Sequence, residues 1–215
     1  MQLAVPLARV ELLNSCQMDA CIKYSNLQGF TAQPTLFMEF HGSNTSVKEQ
    51  VASVESVAKD HEGDDFRWAE NLESRNELWT ARHQAWFAGL ALNPGANAIS
   101  TDVCVPISKL ALCIELAEAK AAELGFNCPL VGHVGDGNFH LIIPFYSDQP
   151  EQVKAAEELS HYLVKQALAL SGTCTGEHGI GLRKKAYLLE EHGIHAVQTM
   201  GLIKRALDPK NIMNP

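Results

Sequence analysis

From Leu7 to Leu13 apolar residues alternate with polar ones, Arg9 and Glu11 taking every second place, and the stretch predicts a half-buried strand. Asn14 follows as the cap of a short amphipathic helix that runs to Tyr24. After Pro34, Leu36, Met38 and Phe40 alternate with Phe37 and Glu39 into Gly42, the pattern of a second strand. Val47, Val51, Val54 and Ala58 then recur at helical spacing between Ser43 and His61, with Ser43 or Asn44 as the cap. Gly63-Asp64-Asp65 ends that helix, and Phe66-Arg67-Trp68 predicts a short strand. A helix is expected from about Ala69 to Leu90, stopped by Asn93-Pro94-Gly95. Ala98 to Val105 predicts a strand, and Pro106 opens a helix to Leu124. Leu130–Val134 and Phe139–Phe145 are expected as strands around a Gly-Asp-Gly-Asn loop. A long helix from Glu151 to Leu170, a glycine-rich loop from Gly172 to Gly181 and a last helix before Asp208-Pro209 complete the chain. Amphipathic strands and uneven crossovers predict an α+β fold, a largely antiparallel sheet covered by helices on one face.

The chain of 215 residues is long enough for one well-filled domain, or two small ones sharing a core. An apolar fraction of 46% beside 20% charged residues excludes a disordered tail and a collagen-like rod. No apolar run reaches the ~18 residues that would span a bilayer. Arg9 and Glu11 interrupt the apolar opening and no small-residue cleavage site follows, so it reads as a strand rather than a signal peptide. A net charge of -8 excludes the basic face that grips nucleic-acid phosphates, though not a pocket for one small anion. The six cysteines form no Cys-x-x-Cys pair, which favours a reducing compartment over a disulfide framework and offers no zinc ribbon. Neither G-x-G-x-x-G nor a P-loop is present.

Chemistry concentrates in two stretches. In Val131-Gly-His-Val-Gly-Asp-Gly-Asn-Phe-His140, Asp136-Gly137 suits a two-residue type I′ turn. Pairing outward from that turn sets Val134 against Phe139 and His133 against His140, with the histidine Cβ atoms ~4.5–5.5 Å apart on one face. Two imidazoles so placed chelate one divalent metal, or form an ordinary cross-strand pair beside a tight turn. The second stretch, Gly172-Thr-Cys-Thr-Gly-Glu-His-Gly-Ile-Gly181, frames Glu177-His178 with four glycines and is expected to be irregular. Glu177 with His133 and His140 makes a set of three protein ligands with an open position, as catalytic metals have. Zn²⁺, Mn²⁺, Fe²⁺ and Co²⁺ all suit such ligands. His178 then stays free as a general base, imidazole being the side chain that titrates near neutral pH. A surface Glu-His in a connecting loop is the plain alternative.

GHVGDGNFH and TGEHGIG, together with LWTARHQAWFA (78–88), STDVCVPISKL (100–110) and the terminal DPKNIMNP, resemble the C-terminal substrate domain of FAD-linked 2-hydroxy-acid oxidases of the vanillyl-alcohol-oxidase type. The five motifs stand in family order and span nearly the whole chain. The resemblance implies a ferredoxin-like FAD-linked oxidase C-terminal domain over residues 1–215, with the FAD-binding N-terminal domain absent, so that the chain looks like a fragment, inactive in isolation. It implies FAD held mainly by that other domain, and Zn²⁺ or Mn²⁺ held by His133, His140 and Glu177. His178 matches the catalytic base beside substrate and flavin, and Glu177, His178 and Asn214 match residues next to the cofactor. Arg82 matches an arginine that binds the substrate carboxylate, a role its forked guanidinium suits; pairing with Glu77 or Glu73 on one helix is the alternative. Within the family the likeness runs to members that oxidise D-lactate to pyruvate and pass electrons to cytochrome c or a quinone. Members acting on D-2-hydroxyglutarate carry polar or cationic groups where this chain has Trp86, Ser100 and Ile142, so a small monocarboxylate is expected. A glycolate or D-2-hydroxyglutarate oxidase, or a metal- or anion-binding module without redox chemistry, are the alternatives. The resemblance places the protein in mitochondria if eukaryotic, and in the cytoplasm or peripherally on the inner membrane if bacterial. Asp102 is expected either to shape the pocket or merely to turn the chain, and Arg183-Lys184-Lys185 to be a solvated face.

Overall fold

The structure is a computed structural model, and it describes residues 5–63, 65–69 and 71–215. Its frame is a six-stranded antiparallel sheet of β1 (Leu7–Leu13), β2 (Thr35–Phe40), β3 (Asn97–Ser100), β4 (Val103–Cys104), β5 (Leu130–His133) and β6 (Asn138–Phe145). The strands run in the order β2-β1-β5-β6-β3, with β4 also on β6. Helices α1 (Ser15–Ser25), α2 (Asn44–Asp60), α3 (Leu72–His83), α4 (Ala85–Ala91), α5 (Ile107–Glu123), α6 (Pro150–Ala169) and α7 (Leu188–Leu207) complete the α+β fold.

Helices cover both faces of the sheet rather than one. On the first face, Leu130, Phe139, Leu141, Ile143 and Val103 bury against Leu110, Cys113 and Ala117 of α5 and Leu159, Leu163 and Ala167 of α6. On the second, Leu13, Val131 and Phe37 meet Met18 and Cys21 of α1, Ala81 of α3, and Ala85 and Ala88 of α4. The alanines let the helices approach the strands closely. Alternation fixes which residues line the second face: Leu12 pairs with Gly132 and Leu13 with Val131, so the register carried one step further brings Glu11 to His133.

Several expected elements are rearranged. Residues 66–68 are irregular rather than a strand; among the described residues no strand pairs with them, and Arg67 instead donates to Asp65 and to the Gly29 carbonyl. Asp64, in the expected helix break, and Glu70, in the expected next helix, lie outside the described residues. That next helix is two, broken at Gln84, with Asn71 capping the first by accepting from Ser74 N–H. The single strand expected over 98–105 divides into β3 and β4 because Thr101-Asp102 leaves the ladder. The final helix bends at Gly193, where φ is 75°.

The hairpin register also differs. His133 pairs with Asn138, Gly132 with Phe139 and Val131 with His140, so the connection has four residues, Val134 to Gly137. Asp136 N–H donates to the His133 carbonyl at 2.9 Å, and only Gly137 takes positive φ (81°), whereas a type I′ turn needs two such residues. A Cβ on Gly137 would lie 2.1 Å from the Val105 carbonyl, and that close approach is what the glycine permits. The shift is by two residues, so side-chain parity survives. His133 and His140 are diagonal neighbours on one face instead of directly opposed.

Asn14 links the layers. Its Oδ1 accepts from Gln17 N–H at 2.9 Å and Leu130 N–H at 3.0 Å, while Nδ2 donates to Glu118 and the Cys128 carbonyl. We predict that Asn14→Ala lowers stability by about 1–3 kcal/mol, since it removes a cap and leaves a strand N–H unpaired. Urea denaturation of the two proteins measures this, and an unchanged midpoint would refute the linking role.

Candidate functional site

The second face of the sheet is open at its centre, between the α1-α3-α4 layer and the loop after α6. A cavity of about 360 Å³ lies there, lined by Arg82, Trp86, His133, His140, Ile142, Glu177 and His178 among others. The interrupted ladder sets one side of it. Where Thr101 leaves the strand pattern, its hydroxyl, not its carbonyl, accepts from Leu141 N–H. The freed Thr101 carbonyl lies 2.8 Å from His140 Nδ1, which therefore carries a proton. Glu11 Oε1 does the same for His133 Nδ1 at 2.9 Å. Both rings consequently turn Nε2 inward as an acceptor when neutral. Glu177 Oε1 sits 3.4 Å from His133 Nε2 and 3.2 Å from His140 Nε2.

Three acceptors facing one another without a donor need a cation or extra protons between them. Burial holds the His140 pKa below its usual value, which disfavours the proton there. The Glu11 hydrogen bond raises that of His133. Ligand atoms about 2.0–2.1 Å from a tetrahedral ion stand about 3.3 Å apart, so the observed spacings fit one divalent metal. Asp102, His140 and His178 also approach one another. The Asp102 oxygens, however, are fully engaged: Oδ1 accepts from Asn138 Nδ2 and Glu177 N–H, and Oδ2 from Thr175 Oγ1, Gly176 N–H, His178 N–H and Lys184 Nζ. Asp102 therefore organises the loop rather than ligating.

That organisation is specific. Three consecutive amides of the Gly176-Glu177-His178 segment converge on one buried carboxylate, and Lys184 neutralises it from the following turn. Burial pushes the Asp102 pKa up, but the hydrogen bonds from Thr175, Asn138 and the amides outweigh it and hold the group well below the usual carboxylate range. Gly176 is required by contact, since a Cβ there would stand 1.8 Å from Asn138 Nδ2. The loop so fixed aims Glu177 at the two histidines and stacks His178 on His140, with ring centroids 4.9 Å apart and planes at 13°.

Arg82 extends from α3 over the same face. Its Nε and Nη2 both donate to Glu11 Oε2, at 3.2 and 2.8 Å, in place of the pairing with Glu77 or Glu73. Glu11 is 5% exposed. Burial raises its pKa, yet His133 and Arg82 together bring it below normal. Ile142 lines the cavity and also packs toward Gly89, where an added Cβ would meet its Cδ1 at 2.8 Å. Trp86, partly exposed, and Ser100 line the cavity as well. Asn214 is exposed, has φ of 46° in the segment after α7, and is not among the cavity-lining residues.

The structure thus brings together Arg82, His133, His140, Glu177 and His178. Sequence reading misses Glu11, taken as a polar strand position, and Lys184, taken as solvated; His83, given no role, lines the cavity. A signal for Glu11 exists only in the register of β1 on β5, which no local pattern contains.

This fold and this site define a domain of flavin-linked oxidases: the chain belongs to the family described as FAD linked oxidases, C-terminal domain, which matches residues 1–215. It is 47% identical over 215 residues to the protein named probable mitochondrial D-lactate dehydrogenase in Danio rerio, covering 100% of this chain and 43% of that one. It is 44% identical to the mitochondrial D-lactate dehydrogenase (cytochrome) of Arabidopsis thaliana, over 100% of this chain and 38% of the relative. The chain therefore spans less than half the length of these relatives. Among solved structures, 4-ethylphenol oxidase from Gulosibacter chungangensis superposes with a TM-score of 0.65 at 14% identity, over 96% of this chain and 46% of that one. At that identity the likeness shows the shared fold alone.

We predict that Asp102→Asn loosens the 175–178 loop and lowers stability by about 3 kcal/mol, the scale of breaking a buried, hydrogen-bonded charge. Because the carboxyl pKa is lowered by folding, its contribution is complete above the ordinary value of about 3.9 and lost only as pH falls below it. Carbon-13 NMR should find the Asp102 side-chain carboxyl at its ionised shift from neutral pH down to about 4 in the parent. Protonation of that carboxyl at higher pH, or an unaltered loop in the variant, would contradict the assignment.

Proposed function

We propose that this chain supplies the substrate pocket, metal site and catalytic base of an FAD-dependent D-2-hydroxy-acid dehydrogenase that oxidises D-lactate to pyruvate. The observation that carries the reading is the convergence of two Nε2 acceptors and the Glu177 carboxylate beside Arg82 and His178 in one cavity. His133, His140 and Glu177 would hold Zn²⁺ or Mn²⁺, and a divalent ion there supplies Lewis acidity toward a 2-hydroxyl group. FAD, held mainly outside residues 1–215, supplies the two-electron acceptor when bound. Cytochrome c or a quinone then receives the electrons.

The chain's own part is binding, orientation and proton transfer. Glu11 occupies the Nε side of Arg82, so the Nη1 end of the guanidinium remains to hold a substrate carboxylate. His178, exposed on its outer side and stacked on His140, takes the hydroxyl proton at Nε2. Ile142 and Trp86 line the cavity with largely apolar surface and bring no positive charge to a second carboxylate, which supports a small monocarboxylic substrate over a diacid. The mitochondrial names of the relatives support a mitochondrial location for a eukaryotic form; a bacterial form would be cytoplasmic or peripheral on the inner membrane. Among the described residues no helix is long and apolar enough to cross a membrane.

The test uses the full-length flavin-containing protein. D-lactate should be turned over in preference to D-2-hydroxyglutarate, and His178→Ala should lower kcat by about 10²–10⁴-fold, the usual contribution of a general base. Parent-like turnover in the variant, or a preference for the diacid, would overturn the reading.

A further inference from the structure

The buried carboxylate of Glu11 touches two groups with separate tasks. It lies on β1 where the register sets it against His133 on β5, and it is 5% exposed. Its two oxygens do not share partners: Oε1 meets His133 Nδ1 at 2.9 Å, whereas Oε2 takes both Arg82 Nε and Nη2. Arg82 comes from α3, so this one side chain ties that helix to the centre of the sheet. The arginine is itself mostly covered, its side chain 14% exposed, and a guanidinium so enclosed requires a counter-charge.

We propose that Glu11 is a positioning residue that couples the substrate-carboxylate clamp to the metal site. This deepens the functional reading above and rests on its assignment of His133 and Arg82. Oε1 fixes the proton of His133 on Nδ1, and the ring can then present Nε2 as a lone pair toward Glu177. Oε2 holds the inner side of Arg82, fixing which edge of the guanidinium remains for substrate. A change at either end is felt at the other because both contacts belong to one rigid carboxylate. Glutamine has one acceptor oxygen and an amide donor, so it satisfies one partner and opposes the other. Aspartate keeps the charge but is one methylene short of reaching both.

The test applies long-range proton–nitrogen NMR of the histidine rings and of the Arg82 Nε–H to the metal-free chain, with calorimetric titration of Zn²⁺. Circular dichroism confirms that each variant is folded. In the parent, His133 is expected to carry its proton on Nδ1, with a protected Arg82 Nε–H. Glu11→Gln and Glu11→Asp should each lose one or both signatures and bind Zn²⁺ about 10–100-fold more weakly, the usual effect of removing a carboxylate behind a ligating histidine. A parent His133 protonated on Nε2 alone, or variants with parent-like spectra and affinity, would overturn the proposal. If the parent binds no Zn²⁺ while the signatures still depend on Glu11, the positioning role stands and the metal assignment falls. If the variants do not fold, the parent spectrum alone decides.

Discussion

The site depends on the buried carboxylate of Asp102. The TGEHG segment has no secondary structure to hold it, and three successive amides, the Thr175 hydroxyl and Lys184 all converge on this one group. A negative charge is costly to bury unless its donors are in place, so loop and carboxylate order each other. Asp102 occupies that position because it leaves the ladder between β3 and β4, and the same departure frees the Thr101 carbonyl to orient His140. One interruption of a strand therefore arranges both a metal-ligand candidate and the loop that brings Glu177 and His178 to meet it.

A second buried carboxylate serves the opposite side of the cavity. Glu11 orients His133 and engages Arg82, so both histidine tautomers are set by acceptors outside the cavity. The interior is left with lone pairs and one carboxylate, a set whose chemistry suits a divalent cation better than a neutral ligand. The protein places these charges on the rigid sheet or against it and leaves only the Glu177-His178 pair on a loop. That loop is pinned by its backbone, so its side chains remain free to meet ligand.

Much of this was legible in local sequence. The alternation in Leu7–Leu13, the helical spacing of Val47, Val51 and Val54, and Pro106 before α5 each marked an element the structure contains. The histidine pair survived an error in turn type because a shift of two residues preserves the face of a strand. Glycines around Glu177-His178 flagged an irregular loop, and family likeness pointed to Arg82, which the structure places on the cavity. What sequence left hidden were pairings between distant segments. Glu11 meets Arg82 across 71 residues and Asp102 meets the loop across 73–76, and neither spacing has a local period. The strand expected at Phe66-Arg67-Trp68 failed for a related reason, since β-propensity without a partner edge makes no strand.

The most direct test of this account is anomalous X-ray diffraction from crystals of the chain grown with Zn²⁺. The account predicts one strong peak about 2.0–2.2 Å from His133 Nε2, His140 Nε2 and a Glu177 oxygen, with Asp102 still holding the loop amides. A peak absent from those three residues, or one ligated by Asp102, would contradict it.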